Sequence, residues 1–102
     1  MTYNQSLRFE WDDAKNLANR KKHGLSLSEA SQLFHSGGDY LEIFDADHSD
    51  EEDRFIGIGP VDRGIVVVVY MEPEDDLVRI IGARFATRRE QNLYRKYMDS
   101  YR

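Results

Sequence analysis

Residues 54–85 read RFIGIGPVDRGIVVVVYMEPEDDLVRIIGARF, and the reading of this stretch decides the fold. Ile65 to Tyr70 is apolar without alternation, which suits a central strand covered on both faces. The run ends at Met71-Glu72, well short of a membrane-spanning length. Asp62-Arg63-Gly64 before it and Pro73-Glu74-Asp75-Asp76 after it have turn chemistry. The flanking segments, Arg54 to Gly59 and Leu77 to Phe85, therefore read as neighbouring strands. Tyr40 to Phe44 adds one more upstream, so the middle of the chain predicts a four-stranded, mainly antiparallel meander.

Helices are predicted on either side. Thr87-Arg88-Arg89-Glu90 has capping-box spacing and opens a terminal helix with Leu93, Tyr94, Tyr97, Met98 and Tyr101 on one stripe. Before the meander, Phe9-Glu10-Trp11 reads as a short edge strand. Asp12 or Asp13 then caps a helix whose apolar residues Ala14, Leu17 and Ala18 fall at helical spacing. Its last turn holds Arg20, Lys21, Lys22 and His23, and Gly24 follows where a left-handed cap is wanted. Ser26-Leu27-Ser28-Glu29 opens a second short helix that buries Leu27, Ala30, Leu33 and Phe34 and ends at Gly37-Gly38. The fold class is α+β: a short strand, two helices, the meander and a C-terminal helix.

A chain of 102 residues predicts one domain over 1–102, because neither half would bury enough apolar surface alone. The absence of cysteine excludes disulfides, a thiolate nucleophile and cysteine-ligated metal. No export signal is visible in MTYNQSLRFEW, so a cytoplasmic protein without membrane association is expected. The net charge of −5 hides a segregation. Eight acidic residues and no Lys or Arg lie between Asp39 and Asp53, and Glu72, Glu74, Asp75 and Asp76 form a second acidic group. Basic residues gather at Arg20-Lys21-Lys22 and at Arg84, Arg88, Arg89, Arg95, Lys96 and Arg102. Exposed charges act over about 8 Å at physiological salt, so a basic region can bind a polyanion despite the acidic total.

Four blocks in order resemble the BrnT toxin family. Phe9-Glu10-Trp11-Asp12, Lys15, Asn19, Lys22-His23-Gly24 and Glu29-Ala30 are similar to its FEWD-x-x-K-x-x-x-N-x-x-KHG…EA opening. Asp47-His48-Ser49, Glu52-Asp53-Arg54-Phe55 and Ile58-Gly59 resemble its DHS-x-x-EER-x-x-x-IG block, and Val67 to Tyr70 its VVVY strand. Arg79 to Glu90 with Tyr94 is similar to RIISAR-x-AT-x-x-E-x-x-xY, with Gly82 where the family commonly has Ser. The resemblance implies a RelE-like fold and a type II toxin that cleaves RNA to inhibit translation and growth. It also implies a BrnA-like ribbon-helix-helix antitoxin in a two-plus-two complex, with promoter DNA bound only through that antitoxin. The alternative is a non-catalytic binding module acting as the structural half of a repressor complex.

Cleaving RNA through its own 2′-hydroxyl requires a base, cations for the charge growing on phosphate, and an acid; metal and cofactor are not needed. Candidates for the chemistry are Arg84, Arg54, His48 and Glu90, and for RNA contact Lys22, His23, Arg79, Arg88, Arg89 and Tyr70. Arg84 ends an apolar strand just before a helix N-cap, where phosphate would meet a guanidinium and a helix N-terminus, or where Glu90 would form a salt bridge. Strand alternation separates Arg79 from Arg84 unless a bulge lies near Gly82. Arg54 follows Glu51-Glu52-Asp53, so an ion pair there competes with a functional role. His48 is either the proton-transfer group or a loop-ordering residue. Lys22 and His23 suit a helix C-terminus, Glu90 a capping box, and Tyr70 either the core or an RNA contact.

Overall fold

The computed structural model describes residues 7–35, 37 and 39–101; Gly38, the side chain of Tyr101 and Arg102, named above, lie outside the described residues. One five-stranded sheet contains β1 (Arg8–Glu10), β2 (Leu41–Phe44), β3 (Arg54–Val61), β4 (Gly64–Glu74) and β5 (Leu77–Phe85). Their order is β1-β5-β4-β3-β2. The predicted meander is present, and β1 adds a parallel strand along the N-terminal half of β5. β4 runs on through Glu74, so its turn is shorter than the sequence suggests. A bulge between Met71 and Glu74 accommodates Pro73, which has no N–H to give to a ladder.

Among the described residues three α-helices accompany the sheet: α1 (Asp13–His23), α2 (Leu27–Ala30), continued by a 3₁₀ segment (Ser31–His35), and α3 (Arg88–Tyr101). Asp12 is the cap of α1, accepting from the Lys15 N–H at 3.0 Å, and Gly24 closes the helix at φ 67°. Ser26 caps α2 through the Glu29 N–H. The core lies between α2 with its 3₁₀ extension and one face of the sheet. Leu25, Leu27, Ala30, Leu33 and Phe34 pack there on Val66, Val68, Tyr70, Val78, Ile80 and Ala83. Phe34 is edge-on to the Tyr70 ring at 4.8 Å, and Phe55 stacks against the same ring at 5.8 Å.

The apolar residues of α1, Ala14, Leu17 and Ala18, are all exposed. Asparagines hold the helix instead. The Asn19 amide donates to the carbonyls of Leu25 and Ala83, both at 2.8 Å, and accepts from the Ala83 N–H at 3.1 Å. Asn16 accepts from the Leu27 N–H. Asn19 thus serves as a one-residue substitute for the strand that β5 lacks beyond the end of β1. β4 is covered fully on one face and in part on the other: Val67 is buried there beside Ile58, while Val69 is half-buried along a groove that α3, leaning over β2 and β3, leaves open.

Gly57 and Gly59 let β3 pass beneath the 3₁₀ segment. A Cβ on Gly59 would lie 2.6 Å from the Tyr40 Cβ and 2.8 Å from Leu33 Cδ1. Gly59→Ala is expected to destabilise the protein by about 1–3 kcal/mol through overpacking. In thermal unfolding this is a fall of at least about 4 °C. An unchanged midpoint would show that Tyr40 and Leu33 yield freely.

Candidate active site

Directly paired strand residues share a face, so the register shows what the open face carries. Ile43, Ile56 and Val69 form one row across it, and Ile58, Val67 and Arg84 another. These side chains, with Asn19, His23, Gly82, Glu90 and Leu93, line a groove of about 410 Å³. A third row crosses the sheet beyond them: Arg54 is paired with Met71, Met71 with Arg79, and Arg79 with Glu10. The Asp45 N–H donates to the Arg54 carbonyl at 2.8 Å and continues that row past the end of β2.

Arg79 reaches this face because of a bulge. Val69 is opposite Gly82 but Tyr70 is opposite Ile80, which leaves Ile81 as the extra residue beside Gly82. The alternation along β5 reverses there, and Arg79 and Arg84 point to the same side. They are not adjacent, however. Their partners Met71 and Val67 are separated by about 13 Å along β4. The open face therefore has two polar ends with an apolar floor between them.

At one end, Glu90 grips Arg84 with two bonds of 2.7 Å. Its Oε1 also accepts from the Thr87 N–H, while Thr87 Oγ1 accepts from the Glu90 N–H, completing the predicted capping box. Of the two readings of Arg84, the salt bridge is the one present, and the Glu90 carboxylate fills the position expected for phosphate. Arg84, followed by the helix N–H, holds the Glu90 carboxyl down at about 2, from an ordinary 4.5. Glu90 is thus a very weak base. Folding is stabilised fully above pH about 4.5 and the contribution is lost as pH falls through about 2. Glu90→Gln is expected to cost roughly 1–2 kcal/mol at neutral pH, discounted for partial exposure, with the difference from wild type vanishing near pH 2. Acid titration of both proteins by circular dichroism checks this; a gap that persists at pH 2 would contradict it. His23 lines the groove on this side, whereas Lys22, Arg88 and Arg89 are exposed on helix ends.

The other end is arranged differently. Arg79 is bound to Glu10, with Glu52 3.7 Å from its Nη1. Glu52 therefore pairs with Arg79 and not with its neighbour Arg54. Among the described residues, Arg54 makes no ion pair, and its Nε is buried with no hydrogen-bond acceptor. His48 sits alongside on a single 3₁₀ turn, its Nδ1 at 2.9 and 3.1 Å from the Asp45 carboxylate oxygens. Ser49 clips that turn to the strand by donating to the Asp45 carbonyl and accepting from the Arg54 N–H.

Tyr70 requires a correction. It is 1% exposed on the helix face, and its hydroxyl donates to Glu42, so it offers nothing to the open face. Burial, followed by the Glu42 bond, raises its pKa. Among the described residues, no group of three His, Asp or Glu side chains is arranged to hold a metal ion. None of the described helices is long and apolar enough to cross a membrane. Asp45 and Asn19 carry roles that the residue types alone did not single out. Asn19 stood inside the FEWD…KHG block, and Asp45 at the end of a strand run, without a pattern of its own.

A sheet with α2 packed on one face, and on the other α3 beside an apolar groove flanked by arginines and histidines, defines an α+β protein with a partly exposed, polyanion-compatible sheet face. The crystal structure of the Brucella abortus ribonuclease toxin BrnT has this fold: TM-score 0.62 at 21% identity, over 80% of this chain and 99% of that one. The sequence pattern of the family described as the ribonuclease toxin BrnT of type II toxin–antitoxin systems matches residues 11–90, and the chain belongs to that family. No curated protein matches the chain.

Proposed function

We propose that the protein is a metal-independent endoribonuclease whose chemistry takes place at the Arg54–His48 end of the open face. The observation that carries this reading is the unpaired Arg54 guanidinium, on a strand to which Ser49 clips the turn bearing a histidine held by a carboxylate. A phosphate bound on the open face meets the planar guanidinium of Arg54, whose fork takes two oxygens at once. His48 takes the proton of the RNA 2′-hydroxyl at its exposed Nε2. The 2′-oxygen bonds to phosphorus, the bond to the 5′-oxygen breaks, and that oxygen takes a proton from water. The products are a 2′,3′-cyclic phosphate and a 5′-hydroxyl. Arg54 offsets the charge that grows on the phosphate as this happens.

The groove toward Arg84 accepts the flanking nucleotide on Ile43, Ile56 and Val69, with Arg84 and His23 contacting the next phosphates. Glu90 positions Arg84 in this scheme, and Arg79, held by Glu10, lines the site. In the cell, a BrnA-like antitoxin neutralises the toxin in a two-plus-two complex and supplies the DNA-binding half. The decisive experiment incubates the purified, antitoxin-free chain with single-stranded RNA in EDTA. Cleavage to cyclic-phosphate ends is the expected result. A folded chain that leaves RNA intact, with and without ribosomes, would favour the non-catalytic binding module instead.

A further inference from the structure

We propose that Asp45 is a positioning residue that selects the ring nitrogen through which His48 moves a proton; this rests on the ribonuclease reading above. Asp45 extends the β2–β3 pairing by one residue, so alternation puts its side chain on the open face with Ile43 and Arg54. Its carboxylate is only 15% exposed, while the His48 side chain is 66% exposed. Both carboxylate oxygens face Nδ1. An ionised carboxylate accepts hydrogen bonds and cannot donate them, so Nδ1 must carry the hydrogen. In the neutral ring, Nε2 is then left as the acceptor, directed away from Asp45.

A surface imidazole without such a partner divides its population between two tautomers and several ring orientations. Asp45 removes that freedom, as the carboxylate does for the histidine of hydrolase triads. Among the described residues its carboxylate bonds only to His48. The backbone ties of the turn run through the Asp45 carbonyl and Ser49, so the loop keeps its own support when the carboxylate is replaced. The consequence of removing the charge is therefore transmitted through the imidazole.

The test uses the full chain and a single-stranded RNA oligonucleotide in EDTA, with wild type, Asp45→Asn, His48→Gln and the double variant in parallel. Asp45→Asn is expected to lower kcat at least about 10-fold at unchanged KM, because its amide N–H₂ favours the opposite tautomer. In the His48→Gln background the same change is expected to add no further loss. Nitrogen-15 spectra of the histidine rings should show Nδ1–H for His48 in the neutral wild type and Nε2–H in Asp45→Asn. An Nε2–H tautomer in the wild type overturns the proposal without recourse to any variant. Equal losses from Asp45→Asn in both backgrounds also overturn it, since they mark a structural role. Cleavage by wild type and Asp45→Asn alike removes Asp45 alone, whereas an inactive wild type brings down the ribonuclease reading itself.

Discussion

Arg54→Ala is expected to lower single-turnover RNA cleavage by about 100–1,000-fold while leaving the fold intact. The size follows from the position of the side chain. Arg84 and Arg79 share their charges with Glu90 and Glu10 in the free protein, so a phosphate must compete with a carboxylate at either residue. Arg54 has no such competitor among the described residues, and the turn that carries His48 is clipped to its backbone through Ser49. Stabilisation aimed at charge that develops during the reaction is the largest effect a single donor commonly exerts. Removing an unpaired cation also leaves no carboxylate stranded, so stability changes little. Arg84→Ala should differ in kind: it strands the Glu90 carboxylate, lowers stability and raises KM more than it lowers kcat. Wild-type cleavage by Arg54→Ala in EDTA would move the chemistry away from His48 and toward the Arg84 end of the groove.

Asn19→Ala is expected to have the largest effect on stability, roughly 2–4 kcal/mol. One amide meets both backbone groups of Ala83 and the carbonyl that follows Gly24. Truncation leaves a strand N–H and two carbonyls without partners in a half-buried seam, each a cost in its own right. For a chain of this size the midpoint of thermal unfolding should fall by about 10 °C or more. α1 buries no apolar side chain, so packing does not make up the loss. A drop of a degree or two would mean that water replaces the amide without difficulty.

These expectations differ in how far they could be read from the residues. The meander was legible because its strands are apolar runs bounded by turn residues, and the helix ends because Asp12, Gly24, Ser26 and the Thr87–Glu90 pair act on their own backbone neighbours. The helical spacing of Ala14, Leu17 and Ala18 located α1 but not what holds it, which is a pair of asparagine amides. Sequence periodicity carries no sign of an amide bonding to a strand that lies 64 residues away. The bulge beside Gly82 could be named as a condition but not decided, because it depends on how β4 pairs with β5.

The order of elements, the caps and the segregation of charge were set in the sequence, which also named candidates for acting on RNA. Each of these is local, written in the period of a strand or the spacing of a cap. Only the tertiary structure decided which face stays open, that Arg54 is unpaired while Glu52 turns to Arg79, and that Arg84 is occupied by Glu90. It alone sent Tyr70 into the core and joined His48 to Asp45 beside Arg54. The physical reason is that a charge takes its partner from the space around it, and in this sheet the register and one bulge bring together side chains from four different strands and a loop.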